Sequence, residues 1–540
     1  MKLNRAGLQE KSAWAAAGVA LPQFDLDAMV RSTKDAPIWV HFGAGNIFRG
    51  FIARLQQQLL NQGLSDKGII AASSFDYEIL KCIYEPHDNL TLVVSLKPDG
   101  TTDREIVASV ADRVWADNSV PEEMAKLTAI FEAPSLQMVS FTITEKGYAL
   151  KNLQGEYFPV VQDDIKNGPS SAHHAMSILT ELMLARYRAG AKPIALVSMD
   201  NCSQNGEKLR SSVVTITEEW HKRGFVDDGF VAYINDETKV AFPWSMIDKI
   251  TPRPSEAVEK SLTQAGIEEM TPIITGKRTF IAPFVNTEIP QYLVIEDRFP
   301  NGRPPLEKAG VYFTDRETVN KTERMKVMTC LNPLHTALAV YGCMLGYQSI
   351  AEEMKDNDLK ELVSRIGYQE GMPVVVHPGI LNPMDFIHEV IDQRLPNPFI
   401  PDTPQRIATD TSQKIPIRFG ETIKAYLSRS DLDVTSLTFI PLAIAGWLRY
   451  LLGVDDQNQP MAVSSDPMLE ELQSQLSGVT VGKPETYDGQ LKPILSNPVL
   501  FGTDLCAAGL SDKIETMFQE MLAGPGAVRA TLQKYLKKAD

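Results

Sequence analysis

Short apolar runs and segments of helical period alternate along the first half of the chain. Residues 38–42 form an apolar run, followed by a glycine turn and by 47–60, where apolar positions recur at helical spacing. Residues 68–75 make the next run, which ends in Asp76. Runs at 90–96, 106–110, 138–143 and 193–198 continue the strand series, with helical patterns at 120–132, 171–189 and 205–223 separating the later ones. Strands alternating with helices predict an α/β domain built on a mostly parallel, doubly wound sheet.

The pattern changes after the prolines and turn residues at 271–290. From 317 onward it is amphipathic and helical, with segments at 318–331, 334–347, 350–365, 380–393, 419–429, 435–452, 467–476, 511–523 and 526–537. This predicts a polar arm over 1–36 packed on the surface, a sheet domain over 37–290, and a mainly α-helical domain over 291–540.

Composition narrows the class. At 540 residues the chain is long for one core, so two domains are the default. A net charge of −15 argues against a nucleic-acid binder, which needs clustered Lys and Arg. Lys534, Lys537 and Lys538 read as a solvated helix end. The five cysteines are scattered and the eight histidines do not cluster, so neither a disulfide framework nor a metal site is expected. Without a signal-peptide core near Met1 or a run of roughly 20 apolar residues, a cytoplasmic protein with no membrane partner is expected.

Two segments carry candidate chemistry. The turn Gly43-Ala-Gly45-Asn46-Ile47-Phe48-Arg49 follows the first strand and opens a helix, where a dinucleotide can rest its pyrophosphate. Phe48 stands where the usual fingerprint has a third glycine, and a plain strand-to-helix turn is the competing reading. Asp76, at the end of the second strand, can accept from the ribose hydroxyls and repel a 2′-phosphate, which favours NAD over NADP; a solvated loop aspartate competes.

The second segment brings Lys326, Asn332 and His335 within ten residues, beside Glu323. An amine, an amide and an imidazole can hold an alcohol, take its proton and steady the alkoxide. Each has a plainer role: Lys326 as a surface partner of Glu323, Asn332 as the N-cap before Pro333, His335 as a core residue. A basic Lys326 must be neutral near working pH, which burial and cationic neighbours favour.

These residues, with Thr142-Ile-Thr-Glu145-Lys-Gly-Tyr148, Met199-Asp-Asn201-Cys-Ser-Gln-Asn205-Gly, Phe242-Pro-Trp-Ser-Met-Ile-Asp248, Val294-Ile-Glu-Asp-Arg-Phe-Pro-Asn-Gly-Arg303, and Arg406 followed by Lys414, resemble the long-chain polyol-specific (mannitol) dehydrogenase family. The resemblance spans nearly the whole chain from residue 37. It implies an N-terminal Rossmann-type domain, a helical C-terminal domain, an active site between them, and no zinc. It further implies Lys326 as general base and Asn332 and Asn201 as the amides that hold the alkoxide. His335, Asp248, Arg406 and Lys414 correspond to substrate-orienting positions, and Glu323 and Glu145 to acids that pass protons between the base and water. Relatives are often monomers or homodimers.

Two departures stand out. The family usually places its lysine five residues before the asparagine, but Lys326 precedes Asn332 by six. A straight helix would turn the lysine away, so a bulge or break before Pro333 is required. Three residues after Arg406 many relatives carry histidine; here it is Thr409. With Arg418 nearby, this favours an open-chain sugar acid, D-mannonate/D-fructuronate first and altronate/tagaturonate next, whose carboxylate Arg406 or Arg418 can bind as a fork. The alternatives are a mannitol or arabinitol dehydrogenase, an S-adenosylmethionine-dependent methyltransferase, and a non-catalytic nucleotide sensor.

Overall fold

A computed structural model describes residues 1–152 and 154–537, so Lys538 lies outside the described residues. The chain divides into two compact units, Met1–Asn320 and Lys321–Asp540.

The first unit is built on a six-stranded sheet in which every neighbouring pair is parallel. Its spatial order is Val110–Trp115, Ile69–Ser73, Trp39–Phe42, Met138–Phe141, Ile194–Ser198 and Val240–Ala241. In chain order this is 3-2-1-4-5-6, the doubly wound arrangement, with its switch point between Trp39–Phe42 and Met138–Phe141. The central strands are buried on both faces, which is why they read as unbroken apolar runs. Val40 and Phe42 pack into one core with Leu179 and Val213, whereas Trp39 joins Phe51 and Leu55 in another. The helices Pro121–Glu132, Ala175–Arg188 and Asn205–Lys222 contribute to the first core, and Ala53–Asn61 to the second.

Three expectations need correcting. The apolar run at 90–96 does not extend the central sheet: Thr91–Leu96 pairs antiparallel with Thr102–Val107 in a separate four-stranded sheet, and Phe284–Glu288 joins it on the other side. The Asp99-Gly100 turn makes this local hairpin available, leaving Val110–Trp115 as the third strand of the central sheet. The N-terminal segment is more than a surface arm. Val19–Ala20 adds to the four-stranded sheet, and Trp14 is fully buried, donating from Nε1 to the Gly7 carbonyl at 2.9 Å. Finally, the compact division follows Asn320, not 290. Tyr292–Glu296 pairs with Ser245–Asp248 and with Tyr312–Thr314, so these strands belong to the first unit.

The second unit is helical. Asn332–Leu345 and Phe439–Tyr450 are largely buried, and the Glu370 carboxylate caps the second by accepting from the N–H groups of Thr438, Phe439 and Ile440 at 2.5, 2.8 and 2.7 Å. π-helical turns interrupt the helices at Lys326–Cys330, Arg365–Gly371, Val390–Arg394 and Pro416–Gly420. Such turns insert one residue without breaking the helix. Among the described residues no helix is long and apolar enough to cross a membrane.

Candidate active site

In the first unit the expected cofactor residues gather at the C-terminal ends of the first two strands, where doubly wound folds hold dinucleotides. Gly43 has φ +113°, and a Cβ there would lie 2.2 Å from the Thr142 carbonyl, so glycine lets the two switch-point loops meet. Gly45 differs. A Cβ there would meet no protein atom within 4 Å, so packing does not demand glycine, while a bare backbone suits a pyrophosphate. Phe48, in place of a third glycine, begins the π-turn Phe48–Ile52 and stacks on His41 at 4.2 Å between ring centroids. Ile47 packs at the edge of the same core. Arg49 is buried, donating to the Ala282 carbonyl at 2.8 Å and to Asn46 Oδ1 at 2.9 Å. Burial pulls its pKa down to about 10, so it remains charged and braces the turn from inside.

Asp76 is buried beyond the second strand. Its Oδ2 accepts from Thr275 Oγ1 at 2.7 Å, while Oδ1, also buried, has no partner among the described residues. A buried carboxylate oxygen left open in this way suits the ribose hydroxyls of a dinucleotide. The bare backbone at Gly45 and the open oxygen at Asp76 together fit NAD.

On the other side of the switch point, the loop after Met138–Phe141 is held by a residue that the sequence reading passed over. Asp200 Oδ2 accepts from the Ile143 N–H at 3.0 Å and from Tyr148 Oη at 2.6 Å, and Oδ1 accepts from the Thr144 N–H at 3.0 Å. This fixes Thr144 at φ +65°, a conformation that costs about 1–3 kcal/mol for a residue with a Cβ. Burial raises the Asp200 pKa, opposed by these same bonds. Asn205, also buried, ties the next loop by donating to the Ser198 and Asp200 carbonyls and to Ser245 Oγ. Between these anchors Asn201 is exposed. Asp248 is buried at the end of Ser245–Asp248. Glu145 is exposed and paired with Lys208. Asp200 stood next to Asn201 in the quoted motif, but nothing in the sequence marks Thr144 for positive φ.

In the second unit the bulge required by the lysine spacing is present. Lys326–Cys330 is a π-turn in which the Leu331 N–H reaches back five residues to the Lys326 carbonyl at 3.1 Å. Lys326 is 2 % exposed. Glu323 lies half-buried in the last turn of the preceding helix, Arg316–Met325. Leu331, not Asn332, occupies the N-cap of Asn332–Leu345, and no side chain caps that helix start. The capping role considered for Asn332 is therefore absent.

His335 Nε2 lies 3.5 Å from Asp402 Oδ2. Burial pushes its pKa down to about 4; Asp402 opposes this, and Arg418, Arg406 and Arg394 reinforce it. The imidazole is therefore neutral near pH 7. Arg406 is mostly exposed and paired with Asp402. Lys414 donates to the Ile407 carbonyl at 3.1 Å and to that of Thr409, which pins the loop after Arg406. Arg418 sits in the π-turn Pro416–Gly420 and donates to Thr336 Oγ1 at 2.6 Å, beside His335. Burial lowers its pKa to about 10, so it keeps its charge. Cations thus outnumber acids around His335. Among the described residues no three His, Cys, Asp or Glu side chains converge as metal ligands.

Comparison with known proteins accords with this arrangement. Residues 37–308 match the mannitol dehydrogenase Rossmann domain, and residues 318–522 match the mannitol dehydrogenase C-terminal domain. The chain is 55% identical to the D-mannonate oxidoreductase of Thermotoga maritima over 543 aligned residues, covering 100% of both chains. A solved D-sorbitol dehydrogenase in substrate-free form superposes with a TM-score of 0.78 at 25% identity, covering 96% of this chain and 98% of the other. The Pseudomonas fluorescens mannitol 2-dehydrogenase, solved as a ternary complex with NAD and D-mannitol, gives 0.70 at 26% identity with both chains fully covered. The chain belongs to the mannitol dehydrogenase family.

Proposed function

We propose that this protein is an NAD-dependent oxidoreductase that interconverts a secondary alcohol and a ketone on an open-chain sugar acid, D-mannonate and D-fructuronate, by lysine acid/base catalysis. The observation that carries the sugar-acid reading is Arg418, a half-buried, charged guanidinium that donates to Thr336, the residue next to His335. A substrate carboxylate gives such a group a fork-shaped partner that a neutral polyol lacks. The full-length likeness to a D-mannonate oxidoreductase supports the same reading.

Gly43, Gly45 and the start of the following helix would hold the pyrophosphate, and Asp76 the adenosine ribose. When bound, NAD supplies the nicotinamide that accepts the hydride. Lys326, a buried amine, takes the hydroxyl proton in its neutral form; in reduction its ammonium returns it. Asn332 and Asn201 donate to the developing alkoxide, each worth about 3 kcal/mol when preorganised. His335, neutral because of burial and its arginine neighbours, orients a substrate hydroxyl without adding charge. Glu323, three residues before Lys326, passes the proton toward water, and Glu145 serves the same traffic from the first unit. Asp248, Arg406 and Lys414 complete the substrate contacts, Lys414 by fixing the loop that bears Arg406.

The test is a rate panel with D-fructuronate, D-tagaturonate and D-fructose, each with NADH and with NADPH. Fastest turnover of fructuronate with NADH is expected. Strong fructose turnover without fructuronate turnover would contradict the sugar-acid reading.

A further inference from the structure

The Asp76 carbonyl accepts from Ser73 Oγ at the end of its own strand, but its carboxylate is held from elsewhere. Among the described residues, the carboxylate's hydrogen bond comes from Thr275, 199 residues on, in the two-stranded hairpin formed by Ile273–Ile274 and Phe280–Ile281. That hairpin meets the end of the second strand at three points. Thr275 donates to Asp76 Oδ2 at 2.7 Å, the Gly276 N–H donates to Glu78 Oε2 at 3.1 Å, and the Lys277 ammonium lies 4.9 Å from the centre of the Phe75 ring.

The Thr275 hydroxyl is fully specified. It accepts the Thr279 N–H at 3.1 Å, so its own proton is directed to Asp76. Its backbone is fixed as well, with the Thr275 N–H donating to the Thr279 carbonyl at 3.0 Å and the Arg278 N–H donating to the Thr275 carbonyl at 2.8 Å. Thr275 is itself buried. One carboxylate oxygen is thereby tied to Thr275 and the other is left without a partner among the described residues.

We propose that Thr275 is a positioning residue for cofactor choice: by fixing Asp76 Oδ2 it aims Oδ1 at the adenosine ribose and keeps the carboxylate where it excludes a 2′-phosphate. This rests on the NAD reading above. The hairpin turn also carries Lys277 and Arg278, two cations that attract a phosphate. Selection against the phosphorylated cofactor on this surface therefore depends on the oriented acid opposing them. If Thr275 loses its hydroxyl, Asp76 is no longer held in that orientation, which weakens NADH binding and relaxes the exclusion of NADPH.

The test measures NADH and NADPH dissociation constants by fluorescence titration of the full-length chain and of its Thr275→Val, Thr275→Ser, Asp76→Ala and double Asp76→Ala/Thr275→Val variants. Thr275→Val is expected to weaken NADH about tenfold and to tighten NADPH by about threefold, while Thr275→Ser changes either by less than about twofold. The double variant should bind NADH no more weakly than Asp76→Ala alone, since Thr275 acts through that carboxylate. Unchanged NADH affinity in Thr275→Val, or a loss that adds in full to that of Asp76→Ala, would overturn the proposal. A wild-type chain that binds NADPH as tightly as NADH would overturn the NAD reading beneath it, whatever the Thr275 variants do.

Discussion

The Leu331 N–H bonds to the Lys326 carbonyl five residues back, at 3.1 Å, in place of the four-residue step of an α-helix. That bond absorbs the residue by which this chain exceeds the usual family spacing. The π-turn ends at Leu331, whose φ of −130° resets the chain before Asn332 starts a new helix. Lys326 is therefore buried despite its displaced register. Arg418 also sits in a π-turn, so two of the proposed polar groups lie where a helix carries one extra residue.

Asp200 is expected to matter through the backbone it holds. Asp200→Asn keeps one acceptor oxygen but sets an NH2 against an N–H donor of Ile143 or Thr144. The unfolding free energy should fall by about 2 kcal/mol, with a loss of kcat/KM, whereas Tyr148→Phe should cost less because both backbone bonds survive. Denaturant titration and steady-state rates check this; equal effects of the two variants would contradict it.

His335 sets a pH dependence whose sign follows from its depressed pKa. The unfolded chain takes up a proton near pH 6.5, but the folded chain resists it down to about pH 4. Stability from this group is thus fully present above pH 6.5 and lost as pH falls from there to 4. His335→Gln should make the loss of stability across that window shallower by about one proton, as read from urea titrations at a series of pH values. Parallel curves for the two proteins would contradict the assignment. His41, buried between Ser140 and Thr142 and pushed down to about 3, contributes in the same direction and accounts for part of the slope that remains.

Arg418→Lys keeps a charge but loses the fork. With fructuronate, kcat/KM should fall about a hundredfold, and much less with fructose, which has no carboxylate to lose. An equal loss on both substrates would assign Arg418 to structure through Thr336 instead of to recognition.

Legibility in the sequence followed what each feature depends on. The first two strands and Asp76 could be read because a doubly buried strand is a continuous apolar run, and the acid at its end interrupts that run. The run at 90–96 looks the same, yet its partner is the local Thr102–Val107 strand; periodicity reports burial, not which sheet a strand joins. The extra residue between Lys326 and Asn332 signalled a bulge only when counted against the spacing usual in the family that the chain resembles. Thr144 at positive φ, the Asp200 anchor and the Thr275 bond to Asp76 left no such mark, because each depends on segments far apart in the chain that meet only on folding.

The central claim is that Lys326 is the acid/base group, and Lys326→Met tests it most directly through the pH–rate profile of D-mannonate oxidation. Loss of kcat/KM by roughly 10²–10⁴, together with disappearance of the wild-type limb that reports deprotonation of the base, is the predicted result. A variant that turns over at the wild-type rate with an unaltered profile would contradict it.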